Sequence, residues 1–173
     1  MPFKLNVNDI IGEPISDVYH TIDAHFKCPL KDLTYLSMLV DKRSNEAIRH
    51  GVYIIFNDKN QCVYVGKCES SHFVGRLGSH FGMSPNYGEH TFLGKLVKNL
   101  GLSEDFDGYV SAVSKIDDYK YMIINANNQG NEFIRKLEKV FMVMYQPTLN
   151  NLPKKIINKS FSGTEIFQPT LYQ

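Results

Sequence analysis

Several protein classes are excluded by what the sequence has little of. Its three cysteines are an odd number without CxxC spacing, so we expect a reduced, cytoplasmic protein. No apolar run approaches the roughly 18 residues that a membrane helix needs, so we expect no membrane partner. The start of the chain, MPFKLNVNDIIGEP, lacks the apolar core of a secretory signal, and we expect no signal peptide.

Charge of one sign is not in excess either. The formal net charge is +1, so the bulk charge does not by itself indicate a nucleic-acid partner. Locally, residues 131–160 carry six basic side chains against two acidic ones, the basic ones being Arg135, Lys136, Lys139, Lys154, Lys155 and Lys159. Such a strip can follow a phosphate backbone, although a solvated helix face has the same composition.

The hydrophobic pattern predicts both strands and helices. GVYIIF (51–56) and CVYVG (62–66) flank the turn NDKN, which predicts a β-hairpin. Capping residues and helical spacing predict helices over 72–81, 92–100 and 132–145, and one or two helices between Pro29 and Gly51. The alternating run at 108–116 predicts a strand, with 121–125 as either its hairpin partner or an insertion.

This order of elements predicts an α+β fold. We expect a small, mainly antiparallel central sheet flanked by helices. With 173 residues, 43% of them hydrophobic, the chain fits one domain with an N-terminal appendage. The predicted units are an N-terminal helical extension at 1–50, a core domain at 51–152, and a tail at 153–173 that packs on or beside the core.

A few polar residues stand out against this pattern. Tyr53 and Tyr64 lie on the two hairpin strands, and Arg76 and His80 are four residues apart on one helix face. Glu138 falls inside or at the edge of the apolar stripe of the last helix. A buried carboxylate must be paired, hydrogen-bonded or bound to a metal. Each signal is weak when taken alone, because tyrosine is an ordinary strand residue and a stripe-edge glutamate commonly forms a salt bridge.

The order of these residues along the chain is more specific. GVY (51–53) and YVG (64–66) are followed by Lys67, by Arg76 with His80, by Glu138 and by PTLN (147–150). This series resembles the GIY-YIG nuclease family over about 100 residues, and most of all its type II restriction endonucleases. The resemblance implies a GIY-YIG-like catalytic domain over 51–152 and a DNA endonuclease.

The resemblance also implies a role for each matching residue. Tyr53 matches the general base or water-positioning group, and Tyr64 matches the tyrosine that holds the reacting phosphate or the nucleophile. Arg76 matches the arginine on the scissile phosphate, and Glu138 matches the single metal-binding carboxylate. The remaining catalytic positions are Lys67 after the second tripeptide, His80, and Asn150, whose neighbour Asn151 offers an alternative match.

Cofactor and partners follow from the same resemblance. We expect Mg²⁺, with Mn²⁺ as a substitute, because one carboxylate with water ligands suits that ion. The substrate is expected to be double-stranded DNA, cut by a homodimer or by sequential nicking. The polar loops GMSPNYGEH (82–90) and NANNQG (125–130) have side chains suited to base edges.

Other interpretations remain open on the sequence alone. A phage or mobile-element endonuclease, or a catalytically inactive DNA-binding module, would carry the same motifs. Zinc bound by Cys62, Cys68, His72 and His80 is a further alternative, although their spacing matches no common zinc site. The cysteines are more simply interpreted as a core residue and an ordinary thiol.

Overall fold

The central sheet confirms the predicted α+β class. The computed structural model describes residues 3–41, 46–82 and 91–151. Within these ranges the strands are β1 Lys4–Asn6, β2 Cys28–Pro29, β3 Val40–Asp41, β4 Glu46–Ala47, β5 Gly51–Phe56, β6 Cys62–Cys68 and β7 Lys120–Asn125. The helices there are α1 Ile15–Ala24, α2 Tyr35–Leu39, α3 Phe73–His80, α4 Phe92–Asn99, α5 Phe106–Val113 and α6 Asn131–Tyr145. The main sheet has the order β1-β7-β5-β6, with β2 also on β7, and β3 pairs with β4 separately.

The predicted hairpin is confirmed and forms one half of the main sheet. Its turn closes through the Asn57 N–H, which donates to the carbonyl oxygen of Gln61 at 2.9 Å. The Asn57 side chain accepts from the N–H groups of Lys59 and Gln61. β5 is antiparallel to both β6 and β7, and all six of its residues are buried. This burial explains why GVYIIF is a continuous apolar run.

Side chains of β5 alternate between two hydrophobic cores, one on each face of the sheet. Tyr53 and Ile55 point to the face covered by α3, α4 and α5. Val52 and Ile54 point to the opposite face, which α1 and α6 cover. The predicted helix at 132–145 is confirmed as α6, and its buried stripe is Ile134, Leu137 and Phe141. Residues on the two faces can therefore meet only around an edge of the sheet.

The segment predicted as a strand at 108–116 is a helix, and that prediction is wrong. α5 begins after Asp105, whose carboxylate accepts the Gly108 N–H at 2.9 Å and so caps the helix. Tyr109, Ala112 and Ile116 are buried at helical spacing. The same apolar residues fit both periodicities over this short run, and the cap with the packing against α4 favours the helix.

Strand β7 is central rather than an insertion or a hairpin partner of 108–116. It lies beside β5, with Ile123 opposite Tyr53, and it also pairs with β1 and β2. In the part of the chain that the structure describes, three helices separate β7 from β6. Because β7 lies beside β5 in the main sheet, both alternatives for 121–125 are wrong. A pairing between segments so far apart in the chain leaves no local pattern in the sequence.

The N-terminal region is less helical than expected. It does contain α1 and α2, but β1 and β2 join it to the main sheet through β7. Between Pro29 and Gly51, where helices alone were expected, only α2 is an α-helix among the described residues, and β3 and β4 follow it. The tail at 153–173, the lysines Lys154, Lys155 and Lys159, and residues 83–90 lie outside the described ranges. Within those ranges, no helix has the length and apolar character needed to cross a bilayer.

Candidate active site

Two tyrosines from the hairpin lie side by side on the face covered by α3. The rings of Tyr53 and Tyr64 are stacked with centroids 6.2 Å apart, and Tyr121 of β7 stacks on the other side of Tyr53 at 5.8 Å. Tyr53 lies across from Gly66, where a Cβ atom would come within 2.1 Å of the Tyr53 hydroxyl oxygen. The glycine of YVG is therefore required by the position of the first tyrosine.

The glycine of GVY has a different reason. Gly51 has φ +147°, a conformation that side chains other than glycine rarely adopt. A Cβ atom there would also lie 2.1 Å from the carbonyl oxygen of Ile124 on β7. Gly51 is therefore required by the close backbone of β7, whereas Gly66 is required by the Tyr53 side chain.

His80 is hydrogen-bonded to Tyr53, and a backbone N–H group sets its tautomer. Its Nδ1 accepts the N–H of Phe92 at 3.0 Å, so Nδ1 carries no proton. The proton of the neutral ring is therefore on Nε2, which donates to the hydroxyl oxygen of Tyr53. Burial, and after it the charges of Arg76 and Lys95, lower the pKa of His80 to about 4. His80 can support negative charge on Tyr53 but cannot take a proton from it through Nε2.

The two tyrosine hydroxyls are protonated in the free protein. Burial raises the pKa of Tyr53 well above its usual value, and it raises the pKa of Tyr64 as well. Arg76 acts against both shifts through its charge, and for Tyr53 also through a hydrogen bond. Tyr53 is fully buried and Tyr64 is 6% exposed, whereas Arg76 is exposed on α3. The arginine is therefore the group of this set that a ligand can reach first.

Lys67 and Glu138 meet on the other side of β6. The Lys67 ammonium lies 2.8 Å from one oxygen of Glu138, whose side chain is 14% exposed. The same ammonium is 3.6 Å from Glu69, which Arg135 binds at 2.9 Å. The hydrogen bond from Arg135 is the main cause of the lowered pKa of Glu69. The odd carboxylate of the apolar stripe is thus explained structurally by an ion pair.

Lys67, Glu69 and Arg76 lie at one open cleft at the end of β6. The cleft has a volume of about 170 Å³, and it is lined by Lys67, Cys68, Glu69, Ser70, Ser71 and Arg76. Besides burial, the charge of Glu138 raises the pKa of Tyr64. The candidate site therefore wraps around the β6 edge of the sheet, with the tyrosines on one face and Lys67 with Glu138 on the other.

Asn150 holds the strand that carries these residues. Its side-chain oxygen accepts the N–H of Val65 and its amide group donates to the Val65 carbonyl, both at 2.8 Å. The Leu149 N–H donates to the carbonyl of Val63 at 2.9 Å. These bonds satisfy backbone groups on the outer edge of β6, which would otherwise be unpaired. Asn150 fits the role of a supporting residue, and it is Asn150 rather than Asn151 that makes these bonds.

The carboxylates of this site have the chemistry that Mg²⁺ prefers. Glu138 and Glu69 are oxygen donors at an open cleft, and Mg²⁺ is commonly bound by one or two carboxylates and several waters. The Lys67 ammonium already occupies one oxygen of Glu138, so a cation there shares or replaces that contact.

The zinc alternative is wrong for the described residues. Cys62 lies in the core beside α6, and Cys68 lies in the core on the opposite face. Both ring nitrogens of His80 are already engaged, by Tyr53 and by the Phe92 N–H. Within 3–41, 46–82 and 91–151 no group of three or more His, Cys, Asp or Glu side chains is placed to hold a metal.

Three features of the site were missed by sequence reasoning. Glu69 follows Lys67 by two residues, a spacing that keeps both on one side of an extended chain and could have been noticed. Lys95 of α4 places its ammonium 5.3 Å from the centre of the Tyr64 ring, at the edge of an apolar helix face. The backbone N–H of Phe92, which sets the tautomer of His80, has no signal in the sequence.

One asparagine of the loop at 125–130 stabilises the fold through hydrogen bonds to the backbone. The Asn127 oxygen accepts the N–H groups of Arg49 and His50, and its amide group donates to the carbonyl of Ala47. The Asn125 oxygen accepts the Asn127 N–H. The Asn127 side chain thereby holds the segment that leads into β5, so its polar atoms do not suit contacts with base edges.

A comparison with protein families assigns this arrangement to a class. The family model described as the GIY-YIG catalytic domain matches residues 49–148, which is more than half of the chain. The chain therefore belongs to the GIY-YIG family and carries its nuclease domain, as the resemblance implied. Comparisons with curated proteins and with solved structures found no match. The restriction-enzyme subgroup stays a prediction.

Proposed function

We propose that the protein is a Mg²⁺-dependent endonuclease that hydrolyses phosphodiester bonds of double-stranded DNA, and that it is a sequence-specific type II restriction enzyme. The observation that carries the proposal is the convergence at the β6 edge of a Tyr53–His80 pair, a cleft with Arg76, and the Lys67–Glu138 pair. Membership of the GIY-YIG family supports the same chemistry.

The proposed roles follow from charge and accessibility. Arg76 is exposed beside the cleft, and its planar guanidinium can bind two phosphate oxygens at once. Tyr53 is the proposed base, and it would act as the phenolate once its phenol proton has passed to solvent water. The Nε2–H of His80 and the Arg76 guanidinium both favour the phenolate. Tyr64, on which the charge of Glu138 acts, would orient the phosphate or the attacking water.

Glu138 is the residue that would hold Mg²⁺, and Mn²⁺ is the expected substitute. The ion, when bound, would polarise the phosphate and stabilise the leaving oxygen. Lys67 then has a second carboxylate available, because Glu69 is already 3.6 Å from its ammonium. Asn150 keeps β6 in position while these charges rearrange.

The restriction-enzyme assignment is supported by the arrangement around the catalytic domain. Additional segments surround the hairpin and α6, among them the N-terminal segment with β1, β2 and α1. Such additions suit a compact nuclease with inserted recognition elements. Cutting both strands with one site per chain requires a homodimer or two successive nicks. A phage or mobile-element endonuclease is the alternative within the family, and an inactive DNA-binding module is the alternative without catalysis.

The test is cleavage of plasmid DNA followed by sequencing of the product ends. Purified protein is incubated with plasmid in Mg²⁺, in Mn²⁺ and in EDTA, with Glu138→Gln as the matched inactive control. Ends at one short sequence in Mg²⁺ are the expected result. Scattered ends would contradict sequence specificity, and binding without cutting would indicate the inactive module. Cleavage in EDTA would contradict the proposed dependence on a metal ion.

A further inference from the structure

Among the described residues, Lys95 is a cation beside the active-site tyrosines that has no counter-charge. The residue is half-buried on α4, and its ammonium lies over the face of the Tyr64 ring, 5.3 Å from the ring centre. Burial lowers the pKa of Lys95. Among the residues that the structure describes, no carboxylate or hydrogen-bond acceptor partners its ammonium. Its ammonium makes a cation–π contact with Tyr64.

The neighbouring lysines differ in this respect. Lys67 at the same site lies between Glu138 and Glu69. Lys98, one turn further along α4, is 42% exposed and 3.6 Å from Glu104. Because a partly buried ammonium without an anion lowers stability, an apolar residue at position 95 would suit the fold better than lysine. Folding therefore gives no reason for a charge there.

The position of Lys95 indicates which kind of ligand its charge would bind. Lys95 lies over the Tyr64 ring and Arg76 is one turn before His80 on α3, so both cations lie near the His80–tyrosine cluster. Neither has a carboxylate partner among the described residues. Lys95 lies over the ring face of Tyr64, where a cation interacts with the π-system. A phosphodiester group is the anion that would neutralise such a pair of cations in a nuclease.

We propose that Lys95 is a phosphate-binding residue of the active site and contacts the DNA backbone beside the phosphate that Arg76 binds. This inference rests on the proposed function, since it requires DNA as the ligand. Lys95 then contributes to binding of any DNA sequence, because a phosphate contact reads no base.

The test measures binding and folding separately. Binding of a fluorescein-labelled DNA duplex is followed by anisotropy in EDTA at several salt concentrations, and unfolding is followed by circular dichroism. For Lys95→Met we expect affinity to fall roughly ten-fold at low salt and the salt slope to fall by about one unit. The melting temperature should stay equal or rise. Lys98→Met removes the same charge one turn away and should leave the slope unchanged.

Other outcomes separate the inference from the function on which it rests. An unchanged affinity and slope in Lys95→Met, with the wild-type protein binding duplex, would overturn the inference alone. Absence of duplex binding by the wild-type protein would refute the proposed function. If Lys95→Met does not fold, Lys95→Arg and Lys95→Gln replace it. A wild-type slope in the arginine variant with a reduced slope in the glutamine variant supports the inference, and equal slopes overturn it.

Discussion

Replacing Tyr53 by phenylalanine would remove one oxygen atom and keep the ring that stacks on Tyr64 and Tyr121. The Nε2–H of His80 would lose its acceptor in a buried place, since Tyr53 is 0% and His80 3% exposed. A buried donor left unpaired costs about 1–3 kcal/mol. In a chain of this size each kcal/mol lowers the melting temperature by about 2–4 °C. We therefore expect Tyr53→Phe to melt several degrees below the wild-type protein.

Tyr121 offers a matched control for this loss of stability. It is fully buried in the same stack, but its hydroxyl has no hydrogen-bond partner among the described residues. Tyr121→Phe removes the same atom without unpairing a donor, so we expect its stability to equal or exceed that of the wild-type protein. Thermal and urea unfolding of the three proteins, followed by circular dichroism, measures both differences.

The same variant tests the catalytic role of Tyr53. Loss of a general base lowers the cleavage rate by at least roughly 100-fold, which single-turnover cleavage of a short duplex measures. Equal stability of Tyr53→Phe and Tyr121→Phe would refute the buried hydrogen bond between Tyr53 and His80. A loss of rate limited to a few-fold would show that another group activates water. The two results are independent, so one can fail without the other.

Three further predictions concern the remaining groups. Glu138→Ala should abolish cleavage while leaving duplex binding in EDTA near the wild-type level, and cleavage at the wild-type rate would remove Glu138 from the site. Arg76→Ala should reduce the cleavage rate more than the affinity, because its charge meets the phosphate most strongly in the transition state; equal losses would make it a plain binding residue. The pKa of His80 is about 4 in the folded protein against an ordinary value of 6.5, so the unfolded chain binds the proton more readily between these values. Stability should therefore fall as pH drops from 6.5 towards 4. His80→Gln should flatten that part of a melting-temperature profile, and an unchanged profile would assign the loss to other groups.

Part of the fold and of the site could be predicted because the responsible forces act over a few residues. The hairpin at 51–66 combines β-branched runs with a turn that the Asn57 side chain closes on its own neighbours. The stripe of α6 follows from helical spacing around Ile134 and Phe141. The family could be predicted from the order in which the two tripeptides, Arg76 and Glu138 follow one another along the chain.

Other features depended on tertiary structure because they join distant segments of the chain. Lys67 and Glu138 are 71 residues apart, and only the packing of α6 beside β6 brings them to 2.8 Å. The backbone of Phe92 sets the tautomer of His80 from the next helix. Whether an alternating apolar run becomes a strand or a helix is decided by the surface it packs against. Residues 108–116 pack against α4, and residues 121–125 pair with β5. The sequence could not predict either outcome, because no local pattern indicates which neighbour a segment will have.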